Sequence, residues 1–542
     1  MQHHVKRAIS TGVIALVLAA VPSLSATAAP PAHPIANPGF EEGLTGWRST
    51  GVGGAARTEA GGVDSATRLT HWLDDGGAVT TTQRFRPAAD GWYTFSASVK
   101  SGGGLASSSL VATGCGVPAV TTVPSTEVDD AWVRLSVSFR SFRGGCTIGL
   151  KTDGPAGSWA SLDDVEVTAG RSERLIRGAD LSGVRKNEDF GATYAAPNGH
   201  RVDPVQAFAA AGADLGRLRV WVDPADGYNA LDDVVATGKR ITAAGMGVLV
   251  DFHYSDRWTD PGAQGVPAAW AHSDVPTMTA QLRQHTLDVL TALKEARVDV
   301  RFVQVGNEIN PGMLWPHGQT WDVVPGDGVD TPQWDALAGF LTAGSTATSE
   351  VFPEARVILH LTNINNGVGS LTWWFDEVTA RGVPFDVIGL SYYSYWHGSF
   401  ADLQEAVTVL SDRYDRDVLV VETAYPWTLA DDPVDPWENV IDLESELTPG
   451  YPATPEGQAA NFRAVQDVVR SAPGGRGLGA VYWEPAWTAV PGAGWDPADP
   501  ASGNAWENQA MFDHEGRMLL PGFLQFLPDL GTIAPGWRAL LR

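Results

Sequence analysis

Eight short apolar runs separated by helix-length segments follow one another from residue 175 onward, and no other feature of the chain narrows its fold so far. The runs are LIRGADLS (175–182), GRLRVWV (216–222), GVLVDFHY (247–254), RFVQVGNE (301–308), RVILHL (356–361), DVIGLSYY (386–393), VLVVETAY (418–425) and GAVYWEP (479–485). Amphipathic segments such as TMTAQLRQHTLDVLTALKEA (277–296) and GQAANFRAVQDVVRSA (457–472) lie between them. Eight strand and helix alternations over about 365 residues predict a (β/α)8 barrel with long loops. An open doubly wound sheet is the competing architecture. It requires a Gly-rich phosphate loop after the first strand, and GADLSGVRKNEDFG lacks that spacing.

A chain of 542 residues exceeds what one core supports, because single cores stop growing at roughly 250 to 300 residues. A second domain is therefore expected before the barrel. Residues 35 to 168 are rich in Ser, Thr, Gly and Val and carry period-two runs, WYTFSASV (92–99), WVRLSVSF (132–139) and SLDDVEV (161–167). This alternation predicts an all-β, jelly-roll-like antiparallel sandwich. The first residues set Lys6 and Arg7 before an apolar stretch, with a small-residue exit at Ala26-Thr27-Ala28, the layout of a secretory signal peptide. The division expected is a signal peptide over 1–29, a sandwich over 30–170 and a barrel over 171–542. The product is expected to be secreted, extracellular and free of a membrane span after cleavage. Cys115 and Cys146 can pair in such an oxidising compartment, and two cysteines cannot build a metal cage.

Net charge bounds the partner. Thirty-seven Lys and Arg against 63 Asp and Glu leave −26, which repels nucleic acid and polyanionic chains alike. A neutral substrate and a monomer are expected.

In a barrel, functional side chains project from the C-terminal strand ends. Those ends carry Asp180, Arg219, Asp251 with His253, Asn307 with Glu308, His360, Tyr392 with Tyr393, Glu422, and Trp483 with Glu484. A carboxylate at a buried rim is unfavourable unless paired or used, and Glu308 and Glu422 on strands four and seven would face each other across the mouth. Two such carboxylates can hydrolyse a glycosidic bond: one gives a proton to the leaving oxygen and the other attacks the anomeric carbon. A separation of about 5 to 5.5 Å corresponds to direct attack with retention. The bland reading of each is a structural ion pair.

At these positions the chain resembles glycoside hydrolase family 53, the arabinogalactan endo-β-1,4-galactanases. The matching strings are RGADLSGV, DFHYSDRWTDPGAQ (251–264), VGNEINPGMLWPHG (305–318), IGLSYYSYWHG (388–398), VVETAYPWT (420–428), YWEPAW (482–487) and NQAMFD (508–513). The resemblance implies a retaining endo-galactanase in which Glu308 is the acid/base, Glu422 the nucleophile, and Asn307 the partner of the sugar 2-hydroxyl. It implies that Tyr392 or Tyr393 touches the nucleophile, that Arg219 keeps it ionised, and that Asp251, His253 and Trp483 line the subsite where the ring distorts. The segments IANPGFEEGLTGW and LDDVEV resemble the ends of carbohydrate-binding modules, with Trp47, Trp72 and Trp92 as stacking candidates or core residues.

Two departures from the family pattern stand out. Ser394 replaces a proline that many members carry after the paired tyrosines. The loop TLADDPVDPWEN, with Asp431, Asp432, Asp435 and Asn439, lacks the alternating pattern that binds calcium in some relatives; no metal, and no cofactor, is expected, with structural calcium the alternative. Trp258, Trp270, Trp315, Trp396, Trp427 and Trp487 follow strands and can wall a groove in which sugar rings stack on indoles. The expected ligand is neutral β-1,4-galactan. The rivals are another β-1,4-glycanase of the same clan, such as a mannanase or xylanase, and a non-catalytic polysaccharide-binding protein.

Overall fold

A computed structural model describes residues 35–527 apart from 64, 106, 117, 118, 127–129, 171–174, 324 and 436. The expected signal peptide lies outside the described residues.

Two antiparallel sheets of five strands form the N-terminal sandwich. One runs in the order Arg48–Gly51, Gly77–Phe85, Cys146–Gly154, Ser107–Thr113 and Ala119–Thr122. The other runs Ala56–Ala60, Thr67–Trp72, Trp159–Ala169, Gly91–Gly102 and Val133–Ser141. Alternation decides which side chains fill the gap between the sheets: Tyr93, Phe95, Ala97 and Val99 point inward and meet Leu135, Val137 and Phe139. Cys115 and Cys146 are free thiols in hydrogen-bonding contact.

The barrel follows. Its eight parallel strands, closed in sequence order, are Ile176–Asp180, Leu215–Val220, Gly247–Phe252, Val300–Val305, Arg356–Leu361, Val387–Ser391, Asp417–Thr423 and Gly477–Tyr482. All eight coincide with the predicted runs. Leu215, Leu249, Phe302, Ile358, Val387, Leu419, Val421 and Val481 form a separate buried cluster that packs the lower barrel interior. Above it, the next inward position on several strands is polar, beginning with Arg217, Asp251, Gln304 and His360. The site is thus built on a solid apolar floor.

The outer helices start where local chemistry allows. Asp274 accepts the Thr277 N–H at 2.9 Å to cap helix Val275–Glu295, which buries Met278, Leu282, Val289 and Leu293 along one face. Ser399 and Asp402 form a capping box for helix Phe400–Tyr414. Helix Pro455–Arg470, capped by Thr454, also carries the sandwich. Its Asp467 is fully buried, accepts the Thr122 N–H at 3.1 Å and is gripped by Arg463 and Arg470, while Arg463 reaches the Val120 carbonyl at 3.3 Å. Ser394, at the position of the missing proline, ties the loop after strand six to the same helix through Asn461 at 2.7 Å. Among the described residues, no helix is long and apolar enough to cross a membrane.

Candidate active site

Strand two places two arginines on the interior face, two residues apart, and they do different work. Arg217, the lower one, is fully buried and reaches Asp180 at 2.7 Å, Asp251 at 2.8 Å and Glu422 at 2.8 Å. Arg219, the upper one, pairs with Glu484 at 3.1 Å and lies 3.7 Å from the centre of the Trp258 ring. The residue expected to keep Glu422 ionised was Arg219; the structure gives that contact to Arg217. Alternation sends both side chains inward, and the height at which strand seven ends selects the lower one.

Glu422 reaches this position through an irregularity. Leu419 and Val421 both join the interior floor, yet the next residue also faces inward, because the pairing of strands six and seven shifts register between Leu390 and Ser391. Its second carboxylate oxygen accepts from the Tyr393 hydroxyl at 2.9 Å. Tyr392 points the other way, as successive strand residues do, packs on Phe400 and donates to the Gly398 carbonyl at 3.1 Å. Of the two tyrosines left open by the sequence, Tyr393 is the one that touches Glu422.

Glu308 lies beyond the end of strand four, with φ at +50°. A non-glycine residue there costs about 1 kcal/mol or more, and Glu484 shows the same left-handed backbone at φ +46°. These left-handed backbones turn each strand off its line as it leaves the barrel. The Ser391 and Thr362 hydroxyls favour the ionised form of the Glu308 carboxyl. Burial and the nearby charge of Glu422 nevertheless push it up to about 8. Burial raises Glu422 as well, but Arg217 and the Tyr393 hydroxyl oppose that rise. Among the described residues Glu308 has no ion pair with an arginine or lysine whereas Glu422 faces a guanidinium, so the proton is favoured on Glu308.

Asn307 lines the cleft beside Glu308. Its Oδ1 accepts from Arg217 at 3.0 Å and its Nδ2 donates to the Thr259 carbonyl at 2.8 Å. His253 edges the cleft with both ring nitrogens engaged: Nε2 donates to Asp251 at 3.1 Å, and Nδ1 accepts from Trp221 at 3.3 Å and Thr259 at 3.2 Å. Burial keeps it neutral. Asp251, expected to line a subsite, instead lies wholly beneath the surface and braces Arg217 and Gln304.

The mouth opens into a cleft of about 520 Å3 holding Glu308, Glu422, Asn307, Arg219 and Tyr393 together. Its aromatic wall comprises Trp258, Trp396, Trp483, Trp487, Trp495 and Trp506. Trp258 and Trp487 stack with ring centres 5.9 Å apart, and the Arg219 guanidinium lies over the Trp258 ring. Trp427, expected at the substrate, is not on this wall. Its backbone N–H donates to the Asn508 carbonyl at 2.9 Å and its ring packs on His514, because the loop after strand seven is pinned to Asn508, whose amide donates to the Thr428 carbonyl. Trp270 and Trp315 pack away from the cleft as well. Sequence reasoning missed Arg217, Thr362, Ser391, Trp495 and Trp506; the first three sit on or next to strands, but the two tryptophans lie in a long loop without periodicity.

In the acidic loop the carboxylates accept N–H groups, Asp431 from Asn439 at 2.6 Å and Asp435 from Trp437 at 2.8 Å. Among the described residues no group of three or more His, Cys, Asp or Glu is arranged to hold a metal ion.

A parallel barrel whose strands four and seven bring one protonated and one cation-paired carboxylate into an indole-walled cleft is the equipment of a glycoside hydrolase. The family comparison agrees: residues 176–526 match the model of glycosyl hydrolase family 53, and the chain belongs to that family. An arabinogalactan endo-beta-1,4-galactanase of Cellvibrio japonicus is 39% identical over 362 residues, 65% of this chain and 90% of that protein. An endo-beta-1,4-galactanase of Bacillus subtilis is 33% identical over 389 residues, 66% and 86% respectively. Among solved structures, the Ignisphaera aggregans GH53 catalytic domain aligns with a TM-score of 0.60 at 35% identity, covering 65% of this chain and 95% of that one. The sandwich lies outside the family match.

Proposed function

We propose that the protein is a secreted, retaining endo-β-1,4-galactanase that cleaves the neutral galactan side chains of pectic polymers as a monomer without a cofactor. The observation that carries this reading is the division of labour between the two carboxylates: Glu308 protonated, Glu422 facing Arg217 and Tyr393. Galactanase relatives covering the barrel support the choice of sugar, and an overall charge of −26 suits an uncharged polymer.

In the first half-reaction a Glu422 oxygen forms a bond to the anomeric carbon as the bond to the leaving oxygen breaks. The Glu308 proton goes to that oxygen. Asn307, held by Arg217 and Thr259, offers its remaining amide hydrogen to the 2-hydroxyl, a contact that strengthens as charge develops on the ring. Esterified Glu422 carries no charge, so the push that kept Glu308 protonated weakens. Glu308 can then take a proton from water, whose oxygen attacks the same carbon and frees Glu422. Tyr393 keeps its hydroxyl hydrogen throughout, because burial and the two glutamates hold it far above the ordinary phenol range.

Rings in neighbouring subsites would stack on the Trp258 and Trp487 pair and on Trp483 and Trp506. The sandwich is proposed to bind the same polymer. Trp47 is unsuited to this, being buried against Phe40. Trp72, Trp92 and Trp132 are all half-buried and remain candidates, Trp72 and Trp132 with arginine or lysine over their rings. Reducing-end release from purified galactan, mannan, xylan and cellulose tests the substrate. Activity confined to galactan is expected; release from any of the other three with none from galactan would overturn the assignment.

A further inference from the structure

Five tryptophans are exposed among the described residues, and two of them, Trp396 and Trp495, line the cleft. Trp321 and Trp373 lie outside it, yet they meet each other with ring centres 6.5 Å apart and planes tilted by 32°. Trp321 is 43% exposed and Trp373 41%. Solvation does not favour two large indoles side by side on a surface, and a contiguous aromatic patch marks a place where something binds.

The packing beneath holds this patch in place. Helix Val368–Ala380 turns Leu371, Trp374, Phe375 and Val378 to the core and leaves Trp373 on its outer face. Trp334, buried at the start of helix Trp334–Val351, stands edge-on to Trp373 with ring centres 5.1 Å apart. Arg381 lies over the Trp334 ring and pairs with Asp335 at 2.7 Å and Glu377 at 2.5 Å. The orientation of Trp373 is therefore set before any ligand arrives, which lowers the entropic cost of binding.

Position and charge narrow the ligand. Trp321 follows Thr320, whose hydroxyl donates to the Asn310 carbonyl at 2.6 Å. The Asn310 side chain exchanges two hydrogen bonds with the Thr362 backbone, at 2.8 and 2.9 Å, and Thr362 lines the cleft. The helix of Trp373 is reached from Thr362 through a single turn, Ile364–Asn366, whose Asn365 and Asn366 are exposed. Both indoles thus continue the cleft rim on the side of strands four and five. Asp322, Asp335 and Glu377, beside them in the chain or one turn along the helix, disfavour an anionic partner.

We propose that Trp321 and Trp373 form a second galactan-binding platform on the barrel, where a chain emerging from the cleft lays successive sugar rings on the two indoles. The inference rests on galactan as the substrate. A sugar ring offers its apolar face to an indole and keeps its hydroxyls toward water or exposed amides such as those of Asn365 and Asn366. A polymer gains this contact, whereas an oligosaccharide short enough to stay within the cleft does not.

The test is steady-state kinetics of the full chain on β-1,4-galactan and on β-1,4-galactotetraose, with thermal unfolding and size-exclusion chromatography in parallel. Trp321→Ala and Trp373→Ala should each raise KM on the polymer about 3- to 10-fold, with kcat and the unfolding midpoint nearly unchanged and the tetraose kinetics those of the wild type. Trp321→Tyr, which keeps an aromatic face, should retain most of the affinity for the polymer. An unchanged KM on the polymer, or an equal rise on the tetraose, would overturn the platform. So would a wild-type oligomer that either alanine substitution converts to a monomer, since the patch would then belong to a second copy of the chain. Failure of the wild type to hydrolyse either substrate would overturn the galactanase reading and the platform with it; wild-type hydrolysis with unaffected variants would overturn the platform alone.

Discussion

Arg217 and Arg219 show what a sequence says about single residues and where it stops. The string LGRLRV marks two inward-facing guanidiniums, but the choice of which one meets Glu422 depends on the relative heights of strands two and seven, and those are set by the closure of the barrel. The same limit applied to Tyr392 and Tyr393. By contrast Glu308, Glu422 and Asn307 were legible, because a carboxylate or amide at the end of an apolar run has few structural reasons to be there. The distinct partners of the arginines give distinct outcomes. Arg217→Lys removes a guanidinium shared by three buried carboxylates, and should lower kcat more than about 100-fold, since breaking such a pair costs about 3 kcal/mol or more. Arg219→Lys loses the planar stack on Trp258 and should raise KM about 5- to 30-fold with a smaller change in kcat. Steady-state kinetics on the two variants distinguish them; a reversed pattern would restore the original assignment of Arg219. In the wild type, turnover should fall as pH rises through about 8, where Glu308 loses its proton, and should also fall on the acid side as Glu422 gains one.

At the scale of elements, every barrel strand was predicted by its apolar run, but seven of the eight predictions extended too far at the C-terminal end, the exception being Arg356–Leu361. The residues that follow the ladder, such as Asn307 and Glu308, keep the composition of a strand while their backbone turns away, and no pattern in the sequence records φ at +50°. Loop residues were less legible still. Trp427 follows a strand as Trp258 does, yet Asn508 and His514 pull it off the cleft, and such pairing over about 80 residues of chain has no local sign. Helix Pro455–Arg470 is another element whose role emerges only in the assembled molecule. Its buried Asp467 joins the two domains. Asp467→Ala leaves Arg463 and Arg470 without their carboxylate and should lower the unfolding temperature of the chain by several degrees and separate sandwich from barrel in calorimetry. A single transition at the wild-type temperature would show the contact to be inert.

For the molecule as a whole, the sandwich is docked on the barrel through a shared hydrophobic cluster and not merely strung ahead of it. Deleting residues 30–174 would expose that face, so the barrel alone should be less stable, and it should also bind insoluble galactan more weakly; co-sedimentation with the polymer measures the second effect. The strong negative charge adds a selectivity of its own: hydrolysis of neutral galactan should change little between about 10 and 150 mM salt, because no charged partner is being screened. All of this presupposes that Glu422 becomes bonded to the sugar. Peptide mass mapping after reaction with a 2-deoxy-2-fluoro-β-galactobiosyl donor carrying a dinitrophenyl leaving group examines that step directly. The account predicts one added disaccharide on the peptide containing Glu422; turnover without any adduct, or an adduct on another residue, would contradict it.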